Sequence, residues 1–275
     1  MPMDHGVTGT SRAEERGELL VEVRPPIGWI TLNRPQQRNA MTQDLWEGVA
    51  EAVGRLDRDG RVRILVIRGA GDKAFAAGAD ITELDEVRRD SARIAAYLRA
   101  VEGLMVAIEE AEKPVIAMVN GAAIGGGCEV ATACDLRVAS ERAQFGIPAG
   151  TLSIVIAFPD VRRLAGLVGV GRAKELLMTG RLVTAQEALQ IGLVTMVVPP
   201  DRLEAETVRL AERLAAQAPL TLQGAKAMAT RILRGEAAAS PEEALRPSIE
   251  AWHSADFGEG VRAYIEKRAP VFREE

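Results

Sequence analysis

Histidine and cysteine are almost missing from this chain of 275 residues, with two of each. That scarcity excludes much chemistry at once. A zinc site takes about four ligands of Cys, His or carboxylate type, commonly with two at close spacing. Cys128 and Cys134 have no companion histidines, so no metal is expected. His5 stands in a polar leader, which leaves His253 alone to serve any histidine-based triad. Two cysteines make no disulfide framework, and a reducing, cytoplasmic compartment is the natural setting. A basic excess is also lacking: 34 Lys and Arg stand against 39 Asp and Glu, a net charge of −5, so no nucleic-acid partner is expected. No apolar run reaches the roughly 18 residues of a membrane span. The leader Met1–Gly17 is polar, without the apolar core of a signal sequence, and residues 1–17 are expected to form a mobile tail. Aromatics are only 4%, so aliphatic side chains must fill the core. What is present, 47% hydrophobic and 27% charged residues, is the composition of a soluble globular protein with a sizeable core.

Short apolar runs bounded by turn residues recur through the first two thirds. Leu19–Val23 and Trp29–Leu32 flank Pro25-Pro26-Ile27-Gly28 and read as a hairpin. Val62–Ile67, Val115–Val119 and Asp135–Ala139 read as buried strands. Leu45, Trp46, Val49, Val53 and Leu56 recur at helical spacing behind Thr42, a good N-cap. Leu84 to Glu112 is helical, with a break near Asp90-Ser91, and Lys113-Pro114 stops it. In the last third the sequences Thr184-Ala-Gln-Glu187 and Ser240-Pro-Glu-Glu243 match capping boxes. Stretches 201–217, 220–234, 240–253 and 256–267 read as helices, and only Leu193–Val198 as a strand. Pro199-Pro200 then marks the expected boundary between a mixed α/β core and a helical region.

Two glycine-bearing segments stand out. Gly121 to Gly127 follows a buried strand and precedes a helical run that begins with Cys128-Glu129. Glycines there let backbone N–H groups approach a ligand, and a helix N-terminus adds positive potential. The pattern is neither of the two common nucleotide-phosphate fingerprints. Lys73-Ala-Phe-Ala-Ala-Gly-Ala-Asp80 also lies between a strand and a helix. Its small residues could set a second N–H beside the first, and two converging donors would stabilise a developing oxyanion. Either segment could equally be a glycine turn that packs strand on helix.

Taken with Asn33-Arg34-Pro35, Arg38-Asn39-Ala40, Lys113-Pro-Val-Ile-Ala117, Val119-Asn-Gly121, Cys134-Asp135, Ala143-Gln-Phe145, Leu177-Met-Thr-Gly180, Ala188 to Val194 and Ala263-Tyr-Ile-Glu-Lys-Arg268, these segments resemble the enoyl-CoA hydratase/isomerase (crotonase) superfamily. The resemblance runs in one order from about residue 18 to 272. It implies an α/β fold, a spiral of ββα units over 18–200 that carries the site, with a C-terminal helical trimerisation region over 201–275. It implies a homotrimer or a hexamer of two trimers, an acyl-CoA thioester substrate, and no separate cofactor, since coenzyme A arrives with the substrate. By position, Ala79 and Gly126 supply the oxyanion-hole N–H groups and Glu129 the main acid/base. Lys73, Ala77, Ala79, Asp80, Gly126, Tyr264 and Lys267 fall at CoA- or substrate-contacting positions, the last two able to reach a neighbouring subunit's ligand.

One departure is plain. Hydratases of this family use a second glutamate, and its place falls on Ala149, which cannot titrate. The segment after it, Ser153-Ile-Val-Ile-Ala-Phe-Pro-Asp160, is bulky and apolar where the family commonly has a glycine-rich turn. Asp160 is the nearest downstream carboxylate, either a substitute acid or a cap on the following helix. Ordinary hydration is thereby in question. Isomerisation and decarboxylation need fewer acid/base groups, and a CoA-thioester binder with little catalysis needs none.

Overall fold

The computed structural model describes residues 11–238 and 240–273. Residues 1–10 of the expected tail lie outside the described residues. The rest of that tail is ordered: α1 (Arg12–Glu15) starts from a complete capping box, in which Ser11 accepts from the Glu14 N–H and Glu14 accepts from the Ser11 N–H, and Ala13 is fully buried. A four-residue box in a charged leader carries no hydrophobic period, so the sequence pattern did not reveal it.

The expected hairpin is β1 (Leu19–Arg24) against β2 (Ile27–Leu32), antiparallel with Arg24 opposite Ile27 across Pro25-Pro26. Next comes α2 (Gln43–Asp57), with Thr42 accepting from the Leu45 N–H as N-cap. Three units then repeat one plan. The first has β3 (Ile64–Gly69), β4 (Ala74–Ala76), α3 (Ile81–Val87) and α4 (Ser91–Glu110), with the break between helices at the Asp90 cap. The second has β5 (Val115–Val119), β6 (Ala122–Ile124) and α5 (Gly126–Ala133). The third has β7 (Leu136–Ser140), β8 (Gln144–Gly146) and α6 (Phe158–Thr179). After them follow β9 (Val183–Thr184), α7 (Ala185–Gln190) and β10 (Met196–Val198). The chain ends in α8 (Leu203–Ala215), α9 (Pro219–Arg234), α10 (Pro241–His253) and α11 (Ala255–Glu266).

Each unit gives its first strand to one sheet and its second to another. The six-stranded sheet runs β1-β2-β3-β5-β7-β10 and is parallel beyond the hairpin; the other runs β4-β6-β8-β9. The short strands β4, β6 and β8 are parallel to one another. This is the ββα spiral the resemblance implied.

Residues of the six-stranded sheet alternate between two buried clusters, as the two-residue period of a strand requires. Ile30, Leu32, Leu65, Ile67, Ala117 and Val119 face the main core with the apolar stripe of α2. Trp29, Ile64, Val66, Ile116 and Val138 face a second cluster closed by Leu203, Leu210 and Ala211 of α8. So α8 completes the core, and the boundary expected at Pro199-Pro200 is not the core's edge. The helices beyond it differ: α10 buries no residue, while Leu245, Ile249, Trp252, Val261 and Ile265 are exposed.

Candidate active site

The two glycine segments meet. Met41 forms an isolated parallel bridge with Ala79: its N–H donates to the Gly78 carbonyl (2.8 Å), and its carbonyl accepts from the Asp80 N–H (2.9 Å). In a parallel bridge the flanking residues make the hydrogen bonds, so the N–H of Ala79 itself points away from Met41. Gly126 opens α5, where the N–H has no intrahelical acceptor. Gly78 lies against this helix start. It has φ +99°, and a Cβ there would stand 3.0 Å from the Ile124 carbonyl oxygen and 3.5 Å from the Gly126 nitrogen. Only glycine allows that approach, and it sets the Ala79 and Gly126 amides side by side.

Neighbouring contacts hold both segments. Asp80 caps α3 through the Thr82 N–H (3.0 Å) and pairs with Arg34 (3.0 Å). Burial raises its pKa, and the Arg34 guanidinium outweighs that and holds it below the usual range. Both oxygens are thus engaged within the chain, and Asp80 locks the Ala79 segment. On the other side the Trp46 ring covers Gly126; a Cβ on Gly126 would lie 2.7 Å from it. Trp46 is fixed in turn by donating to the Tyr97 hydroxyl (3.0 Å). Trp46 had shown only as a core position and Tyr97 not at all, because neither carries a motif.

Glu129 lies one turn into α5. It is buried, 8% exposed, and among the described residues nothing hydrogen-bonds its carboxyl. Burial, with a smaller push from the Asp160 charge, raises its pKa to about 8, against the pull of Arg163. A group of that kind beside two free amide donors is suited to move protons at neutral to mildly alkaline pH.

A cleft of about 180 Å³ is lined by Pro35, Gln36, Arg38, Asp72 and Lys73. Lys73 is exposed, and Ala77, whose N–H donates to the Arg38 carbonyl, joins this cleft's wall to Ala79. A larger cleft of about 380 Å³ lies elsewhere, between α4 and α9, but its Arg231, Arg234 and Lys226 are engaged in ion pairs. Tyr264 and Lys267 stand exposed on and just after α11, which packs on α10, and neither lines the cleft at Lys73.

Comparison with known proteins identifies the family. The family model described as enoyl-CoA hydratase/isomerase matches residues 22–275. A short-chain-enoyl-CoA hydratase of Clostridium acetobutylicum is 36% identical over 257 residues, 92% of this chain and 97% of that one. The chain belongs to the enoyl-CoA hydratase/isomerase family. A crotonyl-CoA hydratase of Syntrophomonas wolfei is 37% identical over 260 residues, again 92% of this chain and 97% of the relative. Among solved structures, an enoyl-CoA hydratase/carnithine racemase from Magnetospirillum magneticum superposes with TM-score 0.89 at 35% identity, covering 94% of this chain and 96% of that chain.

The remaining candidates lie on the carboxylate side of the site. Ala149 begins a short 3-10 turn (Ala149–Leu152), half-buried against the core. The bulky segment after it turns largely outward: Val155 is 93% and Phe158 79% exposed. It does not fill the core around Glu129. Asp160 lies in the first turn of α6, yet the N-cap is Ala157 and no side chain caps that end. The expected cap is therefore absent among the described residues. Asp160 is buried instead, and accepts from Arg163 (2.8 Å), a fully buried guanidinium that also holds Glu102 and Glu109. Arg163 did not stand out in the sequence, since an ion network across α4 and α6 has no local spacing to betray it.

Proposed function

We propose that the chain acts on an acyl-CoA thioester through an enolate. The N–H groups of Ala79 and Gly126 receive the thioester oxygen, and Glu129 is the main acid/base. One observation carries this reading: among the described residues, two amides without a hydrogen-bond partner lie beside a buried carboxyl that no other group hydrogen-bonds. Where Glu129 takes a proton from the acyl chain, the C–H electrons move to the thioester oxygen. Where it takes one from water, the water oxygen bonds to the β-carbon and the C=C electrons move to the thioester oxygen. In both cases the proton is then returned to carbon. One preorganised donor at the oxygen is typically worth ~3 kcal/mol.

The adjoining cleft suits the CoA arm. Lys73 and Arg38 line it, and neither side chain has an ion-pair partner among the described residues. Tyr264 and Lys267 would complete the CoA site from a neighbouring copy, with the exposed apolar faces of α10 and α11 as the contact surface of a homotrimer or hexamer. Cys128 and Cys134, both buried free thiols with pKa pushed up to about 12 chiefly by burial, take no part in the chemistry and fit a reducing cytoplasm.

Ala149 favours a second reading of the reaction. Isomerisation along the acyl chain, or decarboxylation, needs no second glutamate and tolerates this substitution better than hydration does. Glu129→Gln, assayed on crotonyl-CoA, a 3-enoyl-CoA and a malonyl-type CoA ester, tests the proposal. Loss of about 10²–10⁴ in kcat on the preferred ester is expected; unchanged turnover removes Glu129 from the mechanism. Calorimetry with acyl-CoAs separates a catalyst from a binding subunit, and absence of any CoA binding overturns both.

A further inference from the structure

The start of α5 is boxed on three sides. Gly127 lies on the backbone of β4, where a Cβ would stand 2.1 Å from the Ala76 carbonyl oxygen. Gly78 lies against Gly126, where a Cβ would stand 3.5 Å from the Gly126 nitrogen. The third side is a side chain, the indole of Trp46, fully buried on α2. The outer edge of its six-membered ring takes the space of a Gly126 Cβ. Cη2 and Cζ2 lie 2.7 and 2.9 Å from that point, and Glu129 Oε2 lies 3.7 Å from it. The ring edge, the Gly126 backbone and the Glu129 carboxyl therefore meet at one corner. The five-membered part of the same indole reaches α4, where Nε1 donates to the buried Tyr97 hydroxyl at 3.0 Å. The other fully buried tryptophan, Trp29, has no partner for its Nε1 among the described residues. A tryptophan of this core does not hold such a bond by default.

We propose that Trp46 and Tyr97 are positioning residues for the oxyanion hole: Tyr97 fixes the indole, and the indole sets where the Gly126 N–H stands. The inference rests on the role given to Gly126 above. The first N–H groups of a helix have no intrahelical acceptor, so hydrogen bonding within α5 does not aim this one. The residues around it add little restraint of their own. Gly125, the N-cap, has φ +53° and offers no side-chain cap, and Gly126 follows it without a Cβ. A rigid ring pressed on the Gly126 backbone supplies the missing restraint. The bond to Tyr97 holds that ring in one orientation, which an aliphatic side chain of equal volume could not do. A hole donor is effective only at about 2.7–3.1 Å from the developing oxyanion. A misplacement of about 1 Å can cost about 10²-fold in rate. Trp46 and Tyr97 both act through Gly126 and are given no contact with substrate.

Trp46→Phe keeps an aromatic ring but withdraws its outer edge from Gly126. It should lower kcat by about 10–10²-fold with KM for the acyl-CoA ester little changed. Tyr97→Phe keeps the packing and removes only the hydrogen bond. It should lower kcat by about a few-fold, again with KM little changed. A merely structural role is separated by a double-mutant cycle with Gly126→Ala. In the parent the new methyl and the indole compete for one space, and Trp46→Phe opens that space. Gly126→Ala should therefore cost about tenfold less in kcat in the Trp46→Phe background than in the parent. Lowered melting temperatures with parental kcat in both single variants overturn the inference, and so do losses that simply multiply in the double variant. If Trp46→Phe does not fold, Tyr97→Phe decides alone, and parental kcat in it overturns the inference. Parental kcat in Gly126→Ala itself overturns instead the role of Gly126 in the oxyanion hole, so the two failures are distinguishable.

Discussion

The two halves of the site are built from different material. In the proposed site the oxyanion side is backbone: its amides are those of Ala79 and Gly126, fixed by the Met41 bridge and the start of α5. The carboxylate side is side chain: Glu129 stands alone, and Asp160 is held by an arginine that reaches across to α4. Backbone donors tolerate exchange of neighbouring residues provided the chain path survives. A side-chain acid does not survive its own exchange. In the proposed site the backbone half follows what the resemblance implies, and the side-chain half departs from it at Ala149.

The largest expected effect is on the carboxylate half, the 10²–10⁴-fold loss in Glu129→Gln. The oxyanion half is broken by Gly126→Ala. The added methyl would fall 2.7–2.9 Å from the Trp46 ring, and Trp46 cannot turn away without losing its hydrogen bond to Tyr97. The helix start must shift and take its N–H with it. A fall of about 10²–10³ in kcat is expected with KM for CoA ester little changed, since removing one hole donor acts on the transition state. A circular dichroism melt close to that of the parent would show that only the site moved. Equal losses in kcat and CoA affinity would mean that Gly126 serves the binding cleft instead.

These halves were unequally legible in the sequence. Glycines at 78 and 125–127 announced close backbone approach because no other residue permits it. The long strands β2, β3, β5 and β7 and the capped helix α2 showed through their periods. The strands β4, β6 and β8 did not, because three residues are too few to display an alternation. They are the strands that carry the site loops. The cluster around Arg163 was invisible for another reason: Glu102, Glu109 and Asp160 are 61, 54 and 3 positions from it. Only the fold brings them together. The position of Asp160 as third residue of α6 resembles a cap in sequence, and burial redirects it to Arg163.

A smaller effect separates the halves by stability. In the folded chain the pKa of Glu129 lies near 8, above the ordinary 4.5. The folded state therefore holds a proton that the unfolded state has released, and stability falls as pH rises from about 4.5 through about 8. A lift of this size corresponds to about 5 kcal/mol. Glutamine has no proton to lose, so Glu129→Gln should melt close to the parent at pH 5 and several degrees above it at pH 9. Gly126→Ala, which alters only backbone, should show no such pH-dependent difference. Parallel Tm curves for Glu129→Gln and the parent would mean that Glu129 is solvated in the folded state, and its role as a tuned base would fail with them.

The smallest effect expected is a gain. Ala149 is half-buried, and Gly150 and Thr151 beside it are exposed, so a longer side chain at 149 has a path toward solvent rather than into the core. Ala149→Glu restores a carboxylate where the resemblance places one. It should raise crotonyl-CoA hydration by a few-fold while leaving isomerisation of a 3-enoyl-CoA roughly unchanged, because only addition of water needs a second group to orient the nucleophile. A folded Ala149→Glu variant with no added hydration would place the choice of reaction in the outward-turned segment 153–158. The side-chain half would then owe its departure to the path of that segment, and the contrast between backbone and side chain would narrow to the one residue they share, Glu129 on the helix that Gly126 begins.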